Sequence, residues 1–185
     1  MVDRSTFEIP HLDDEESDCI KTSVEKHTSL QREIFSFANL LTDEVINANH
    51  IVIATPMYNW GTPSSLKAWI DRIVNTKTLY TTVIAGIPIT IIVASGGLYS
   101  SGQNAQRDHL RPLLKEVFTS IGANADDIYF VDCDPSGPMD KGAMDPHDTT
   151  SAYSKAQALL IPAASRGKIP ATCRGDEEDQ EVRAT

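Results

Sequence analysis

The sequence predicts an α/β fold built around a parallel β-sheet. Apolar runs too short for helices alternate along the chain with stretches of helical periodicity, and this alternation is typical of a parallel sheet covered by helices on both faces. Of the 185 residues, 41% are hydrophobic and 23% are charged. This composition is sufficient for one domain with a buried core and excludes a wholly disordered chain.

The first periodic segment predicts a helix that begins at a capping box. Thr28 and Gln31 have the spacing of that motif, in which a hydroxyl and a side-chain amide cap the first turn. Apolar residues then recur at helical intervals to about residue 48. They are Leu30, Ile34, Ala38, Leu41 and Val45. The run Ile51–Ala54 is too short for a helix and predicts a strand buried on both faces.

A helix followed by a strand is then predicted a second time. Thr62 followed by Pro63 predicts a cap and a first helical residue. The β-branched run Ile87–Ala94 predicts the second strand, in which a proline is acceptable only at the start.

Further segments predict a helix over about 108–121, a strand over 128–131 and a last helix over about 148–164. We assign residues 1–165 to one domain and residues 166–185 to a disordered tail, because the tail has no apolar period.

Charge and residue content narrow the functions. The net charge of −10 repels phosphate groups, which argues against binding to nucleic acids or anionic membranes, and there is no apolar run long enough to span a membrane. The three cysteines are too few and too scattered for a disulfide framework or a zinc site. We therefore expect a cytoplasmic protein with no metal site.

The histidines and the acidic residues after the third strand carry no recognisable catalytic or metal-binding pattern. The five histidines lack ligand spacing. The acidic residues are Asp132, Asp134, Asp140, Asp145 and Asp148. They lack the EF-hand register, so a solvated loop is favoured over a cation site.

Two unusual loops follow the first two strands. The first carries Met57, Tyr58, Asn59 and Trp60 where a strand meets solvent, although such loops favour small polar residues. Its aromatic side chains either cap the sheet edge or contact a ligand.

The second loop comprises Ala94, Ser95, Gly96 and Gly97, followed by Leu98. Its paired glycines form either a flexible turn or a close approach of the backbone to a ligand. Because ligands of parallel α/β sheets bind at the carboxyl ends of the strands, we expect one flat ligand to contact both loops.

These residues closely resemble the FMN-dependent NAD(P)H:quinone oxidoreductases of the azoreductase type. The resemblance is carried by the string Pro56-Met57-Tyr58-Asn59-Trp60, by Leu66-Lys67 in the next helix, and by Ser95-Gly96-Gly97 at the family's second flavin loop. It covers about residues 13–160. It implies a flavodoxin-like fold, a three-layer α/β/α arrangement with a doubly wound parallel sheet in the strand order 2-1-3-4-5.

The resemblance also implies roles for single residues. Met57 to Trp60 would contact the isoalloxazine ring of FMN, with Asn59 donating near N5 and O4. Residues 94–97 would offer backbone amides to the N1–O2 side, where reduced flavin carries negative charge. Tyr80 and Leu98 would line the substrate pocket.

The implied activity is electron transfer from NADH or NADPH through FMN to a quinone or azo compound. No catalytic side chain is required, because the flavin carries the chemistry. The family is homodimeric with active sites between subunits, and the exposed loop positions of Trp60, Leu98 and Tyr99 suit such an interface. These residues equally suit the wall of a pocket in a monomer.

The N-terminal part departs from the family pattern. Residues 1–13 resemble the family's second strand and the loop after it, whereas the first strand, which is central in the sheet, and its phosphate-binding loop are not recognisable. Two interpretations stay open. The protein is an FMN-dependent oxidoreductase, or it is a flavin-free, non-catalytic remnant that pairs with a full-length relative.

Overall fold

The computed structural model describes residues 2–4 and 8–133. In this part of the chain three parallel strands form one sheet in the order β1-β2-β3. They are β1 (Ile51–Pro56), β2 (Ile89–Ala94) and β3 (Ile128–Cys133). The predicted parallel α/β arrangement is confirmed. The predicted helix over 148–164 and the predicted tail over 166–185 lie outside the described residues.

Five α-helices lie in the same described part of the chain. They are α1 (Asp14–Lys21), α2 (Ser29–Ile34), α3 (Ser36–Ile46), α4 (Ser64–Ile73) and α5 (Leu110–Ser120). None of these helices is long and apolar enough to cross a membrane. The helix predicted as far as residue 48 is thus two helices, separated at one residue.

The break falls at Phe35, which is almost fully buried and has φ −74° and ψ −7°. Because this conformation is close to helical, the apolar period continues through the break and the sequence pattern does not reveal it. The capping box is confirmed, since the Thr28 side chain accepts from the Gln31 amide and the Gln31 side chain accepts from the Thr28 amide.

One other sequence prediction is corrected, and a second lies partly outside the described residues. α4 begins at Ser64, and Pro63 with φ −56° and ψ 146° occupies the cap position instead of Thr62. Within residues 2–4 and 8–13 there is no strand, so the described residues do not contain the strand expected in residues 1–13.

The strands are aligned so that all three end at the same edge of the sheet. Pro56 pairs with Ala94, and Ala94 pairs with Cys133. The segments that follow β1 and β2 therefore start side by side, as the sequence analysis requires for a shared ligand.

The main core lies between one face of the sheet and α3, α4 and α5. Its buried side chains include Leu41, Ile53, Ile73, Ile91 and Phe118. The alternate residues of β1 point to the other face, where Val52 is 45% exposed and Ala54 is also exposed. The prediction that β1 is buried on both faces is therefore wrong for the described structure, because the described helices that form this core all pack on one face.

Gly122 lies just after the end of α5, two residues beyond Ser120. Its φ of +105° is left-handed, and a Cβ there would lie 2.4 Å from the Thr81 carbonyl oxygen and 2.6 Å from the Thr82 Cα. Only glycine fits this close approach between the helix end and the segment that follows α4.

A buried ion pair attaches α1 to α4. The Arg72 side chain is fully buried and donates two hydrogen bonds of 2.9 Å to the Glu16 carboxylate. It also donates to the carbonyls of Pro10 and Ala68, and its guanidinium lies 5.5 Å from the centre of the Phe37 ring. The pair fixes the segment before α1 against the helix that follows the first loop.

Glu16→Gln is expected to lower the free energy of unfolding by about 3 kcal/mol, because the charge of Arg72 would stay buried without its counter-ion. The measurement is urea denaturation followed by circular dichroism. Asp43→Asn is the matched control, because it breaks the exposed Lys77–Asp43 pair and should cost less than about 1 kcal/mol. Similar small losses in both variants would contradict the dependence of Arg72 on Glu16.

Candidate functional site

The two loops singled out in the sequence are joined directly by a hydrogen bond. The Met57 amide donates to the Ala94 carbonyl at 2.8 Å, which extends the ladder between β1 and β2 by one residue. The structure therefore brings the segments 57–60 and 94–97 together at the carboxyl edge of the sheet.

The first loop is a tight two-residue turn. The amides of Tyr58 and Gly61 each donate to the other residue's carbonyl, at 3.1 and 3.0 Å. The two residues between them, Asn59 and Trp60, have φ of +49° and +64°. Positive φ at both central positions defines a type I′ turn, which strongly prefers Asn-Gly. Asn59 meets that preference, whereas Trp60 places a large side chain where glycine is favoured.

The aromatic side chains of this turn are presented to solvent. Tyr58 is 62% and Trp60 is 47% exposed, and Asn59 is exposed as well. Of the alternatives that the sequence left open, this exposure favours contact with a ligand over capping of the sheet edge, because a ring that caps the edge would be covered by the loop. Met57 points inward and packs on the core.

The turn is anchored from the other side by α5. The His109 amide donates to the Trp60 carbonyl at 3.0 Å. His109 immediately precedes the first residue of α5, and its side chain is exposed. No sequence signal points to this role of His109, because residues of almost any type can make a backbone contact of this kind.

The second loop is short and leaves space above its backbone. The Ser95 hydroxyl donates to the Gly97 carbonyl at 2.7 Å. A Cβ on Gly96 would meet nothing within 4 Å, whereas one on Gly97 would lie 3.2 Å from the Tyr99 ring. In the part of the chain that the structure describes, the amides of Gly96 and Gly97 make no hydrogen bond. They are available to a ligand.

Leu98 and Tyr80, the two residues predicted for the substrate pocket, lie in different places. Leu98 directly follows the second loop and is 50% exposed. The Tyr80 amide donates to the Ser120 carbonyl at the end of α5, whereas Trp60 contacts the residue before its start. The 11 residues of α5 separate these ends by about 16 Å. Within one chain Tyr80 therefore lies far from the two loops, and its place in the substrate pocket stays a prediction.

Charged residues beside the site form a compact bridge. Asp108 accepts from the amides of Leu110 and Arg111 at 2.9 and 3.0 Å. The Arg111 guanidinium donates to Asp108 at 2.6 Å and, from Nε, to Asp132 on β3 at 3.0 Å. Burial lowers the pKa of Arg111, but its hydrogen bonds to the two carboxylates outweigh burial, and the pKa is raised overall. Arg111 is therefore a permanent cation.

This bridge accounts for one residue of the acidic group noted in the sequence. Asp132 pairs with Arg111, and the group's other members, residues 134, 140, 145 and 148, lie outside the described residues. Among the residues that are described, no cluster of histidine, cysteine and acidic side chains could hold a metal ion.

The arrangement fits the ring of a flat aromatic cofactor. One loop presents exposed aromatic side chains, and the neighbouring loop has unpaired backbone amides with open space above Gly96. Amide dipoles aimed at one end of a ring stabilise negative charge there. The described residues thus offer contacts to a ring that accepts electrons.

The sequence model of a protein family described as "Flavodoxin-like fold" matches residues 3–150. The chain belongs to this flavodoxin-like family. The fold class and the family resemblance given by the sequence are confirmed.

Flavodoxin-like relatives of known description support the same assignment. An FMN-dependent NADH:quinone oxidoreductase of Alcanivorax borkumensis is 37% identical over 136 residues, covering 70% of this chain and 66% of that protein. A protein of the same description from Mesorhizobium japonicum is 29% identical over 159 residues, covering 82% and 72%. The chain thus spans about two thirds of the length of such relatives.

Solved flavodoxin-like structures show the same fold. An FMN-dependent NADH-azoreductase from Bacillus anthracis str. Ames Ancestor, in complex with FMN, has a TM-score of 0.62 at 23% identity, covering 82% of this chain and 74% of that chain. An azoreductase from Bacillus anthracis str. Sterne has a TM-score of 0.61 at 20% identity, covering 72% and 67%.

Replacing Trp60 tests the strained turn. We expect Trp60→Gly to be more stable than Trp60→Ala by about 1 kcal/mol, because both lose the indole and only alanine retains the left-handed strain. Leu98 is not at positive φ, so the pair Leu98→Gly and Leu98→Ala should show the opposite order. Urea denaturation of the four variants gives both differences. A more stable Trp60→Ala would contradict the left-handed turn.

Proposed function

We propose that the protein is an FMN-dependent oxidoreductase that transfers electrons from NADH or NADPH to quinone or azo acceptors. The observation that carries the proposal is the junction of the two loops by the Met57–Ala94 hydrogen bond, which sets exposed aromatic rings next to unpaired amides. The descriptions of its relatives as FMN-dependent quinone oxidoreductases and azoreductases support it. A cytoplasmic location is part of the proposal.

The residues that would hold the ring of FMN are those of the two loops. Tyr58, Asn59 and Trp60, together with the backbone of Met57, would hold one edge and one face, and Ala94, Ser95, Gly96 and Gly97 would line the opposite edge. When bound, FMN supplies the ability to accept a hydride and to pass electrons onward.

The protein's own contribution is binding, orientation and electrostatics. The rings of Tyr58 and Trp60 would cover the cofactor and exclude water, and the Asn59 amide would donate hydrogen bonds to it. The amides of Gly96 and Gly97 would stabilise negative charge on the ring without reorganisation, because their direction is fixed by the backbone. No side chain need act as an acid or nucleophile.

A homodimer belongs to the same proposal. The exposed apolar side chains beside the loops are Tyr58, Trp60 and Leu98. A second copy of the chain placed over these three side chains would bury them and exclude water from the site. Light scattering on the FMN-loaded protein measures the assembly, and a monomer with full quinone reductase activity would contradict a shared site.

Titration of FMN with the purified 185-residue chain tests the function. We expect quenching of flavin fluorescence and FMN-dependent oxidation of NADH or NADPH by a quinone. Gly96→Ala should weaken FMN binding by about tenfold, because the added methyl has room in the free protein but enters the space of the ring, and tenfold corresponds to about 1.4 kcal/mol.

Gly86→Ala is the control for the Gly96 variant. A Cβ on Gly86 also meets nothing within 4 Å, and Gly86 lies between α4 and β2, away from the loops. Its φ of +78° strains any side chain, so this variant loses stability without changing the site. FMN affinity should be unchanged. A wild-type protein that neither binds FMN nor oxidises NAD(P)H would contradict the proposal and favour a flavin-free protein that pairs with a relative.

A further inference from the structure

The left-handed turn at Asn59 and Trp60 depends on support from outside the loop. A tryptophan at φ +64° costs about 1–2 kcal/mol relative to right-handed backbone, and strained residues persist only where their surroundings over-determine them. Besides the two hydrogen bonds between Tyr58 and Gly61, the described contact that restrains the tip is the hydrogen bond from the His109 amide to the Trp60 carbonyl. The His109 amide therefore helps to fix the backbone from which the Trp60 ring projects.

The place of His109 is in turn fixed by the bridge described above. Asp108, 9% exposed, caps the first turn of α5 by accepting from two amides. Arg111 joins this carboxylate to Asp132 near the end of β3. The start of α5 is thereby attached to the rigid sheet on one side and to the Trp60 turn on the other.

Capping of α5 does not require the bridge from Asp108 through Arg111 to Asp132. Asp108 alone satisfies the exposed amides of the first turn, whereas the Arg111 side chain is only 12% exposed and must be desolvated to reach both carboxylates. Because desolvation of the charges offsets much of their attraction, a network of this kind is weak evidence for added stability. The bridge is connected to the candidate site through the His109 amide, which donates to the carbonyl of the aromatic residue Trp60.

We propose that Arg111, held between Asp108 and Asp132, is a positioning residue that fixes the start of α5 so that the His109 amide holds Trp60 in the orientation that contacts the flavin ring. This inference rests on the proposed function for the identity of the ligand. The orientation of Trp60 itself does not depend on a ligand and is measurable in the flavin-free protein.

The test is Arg111→Met, which removes the bridge and leaves the Asp108 cap. In the flavin-free protein we expect acrylamide to quench Trp60 fluorescence about twofold more strongly than in the wild type. The contribution of Trp69, the second tryptophan, is subtracted with the Trp60→Phe variant. We also expect FMN to bind about tenfold more weakly.

Two further variants make the result specific. Asp132→Asn breaks the bridge from the strand side and should act in the same direction, which covers the case in which Arg111→Met does not fold. Asp43→Asn breaks the exposed Lys77–Asp43 pair, which lies near the α4–β2 connection, and should change neither quantity. Circular dichroism establishes that each variant is folded.

The outcomes separate the two proposals. Unchanged Trp60 quenching in folded Arg111→Met or Asp132→Asn would overturn the positioning role, and so would altered quenching with unchanged FMN affinity. Failure of the wild-type protein to bind FMN would instead contradict the proposed function, while the quenching data would still show whether the bridge orients Trp60.

Discussion

The parallel register between β1 and β2 is the constraint on which the candidate site depends. Because Pro56 pairs with Ala94, the next amide in β1 reaches the last carbonyl of β2, and the two loops leave the sheet at one level. A shift of one residue would turn the alternate faces of β1 over and bury Val52 in place of Ile53. The core and the site are therefore fixed by the same alignment.

The two loops that leave the sheet at this level differ in their chemistry. The first is a rigid turn whose tip holds a large aromatic residue in strained backbone, and the second is a glycine segment with open space. Rigid side chains on one side and bare amides on the other are suited to a planar ligand whose charge changes at one end. The protein thus contributes fixed side chains and backbone dipoles and no reactive side chain.

Much of this could be predicted from the sequence, for identifiable reasons. Strands and helices follow from apolar periods, and the capping box at Thr28 follows from two residues three apart. The aromatic turn and the glycine loop stand out because their composition is unusual for their place in the chain. The place of Tyr80 within the chain follows from topology and not from the short resemblance. A segment that joins a helix to the start of the next parallel strand must lie at the amino edge of the sheet.

Other features have no local signal. The break between α2 and α3 falls at the buried Phe35, and the regular apolar period does not show it because the backbone there stays close to helical. The bridge of Asp108, Arg111 and Asp132 joins residues that only the folded sheet brings together, and the contact from His109 to Trp60 uses backbone atoms that every residue carries. Such contacts depend on tertiary structure, so no spacing in the sequence identifies them.

The Glu16–Arg72 pair has a consequence for the order of folding. Its two residues are 56 positions apart in the chain, so closing this contact requires a large loss of chain entropy before any of its hydrogen bonds form. A guanidinium desolvated ahead of its partner would be unfavourable. We therefore expect the helix that carries Arg72 to pack on the sheet through its apolar face first, and α1 to dock on it in a later step.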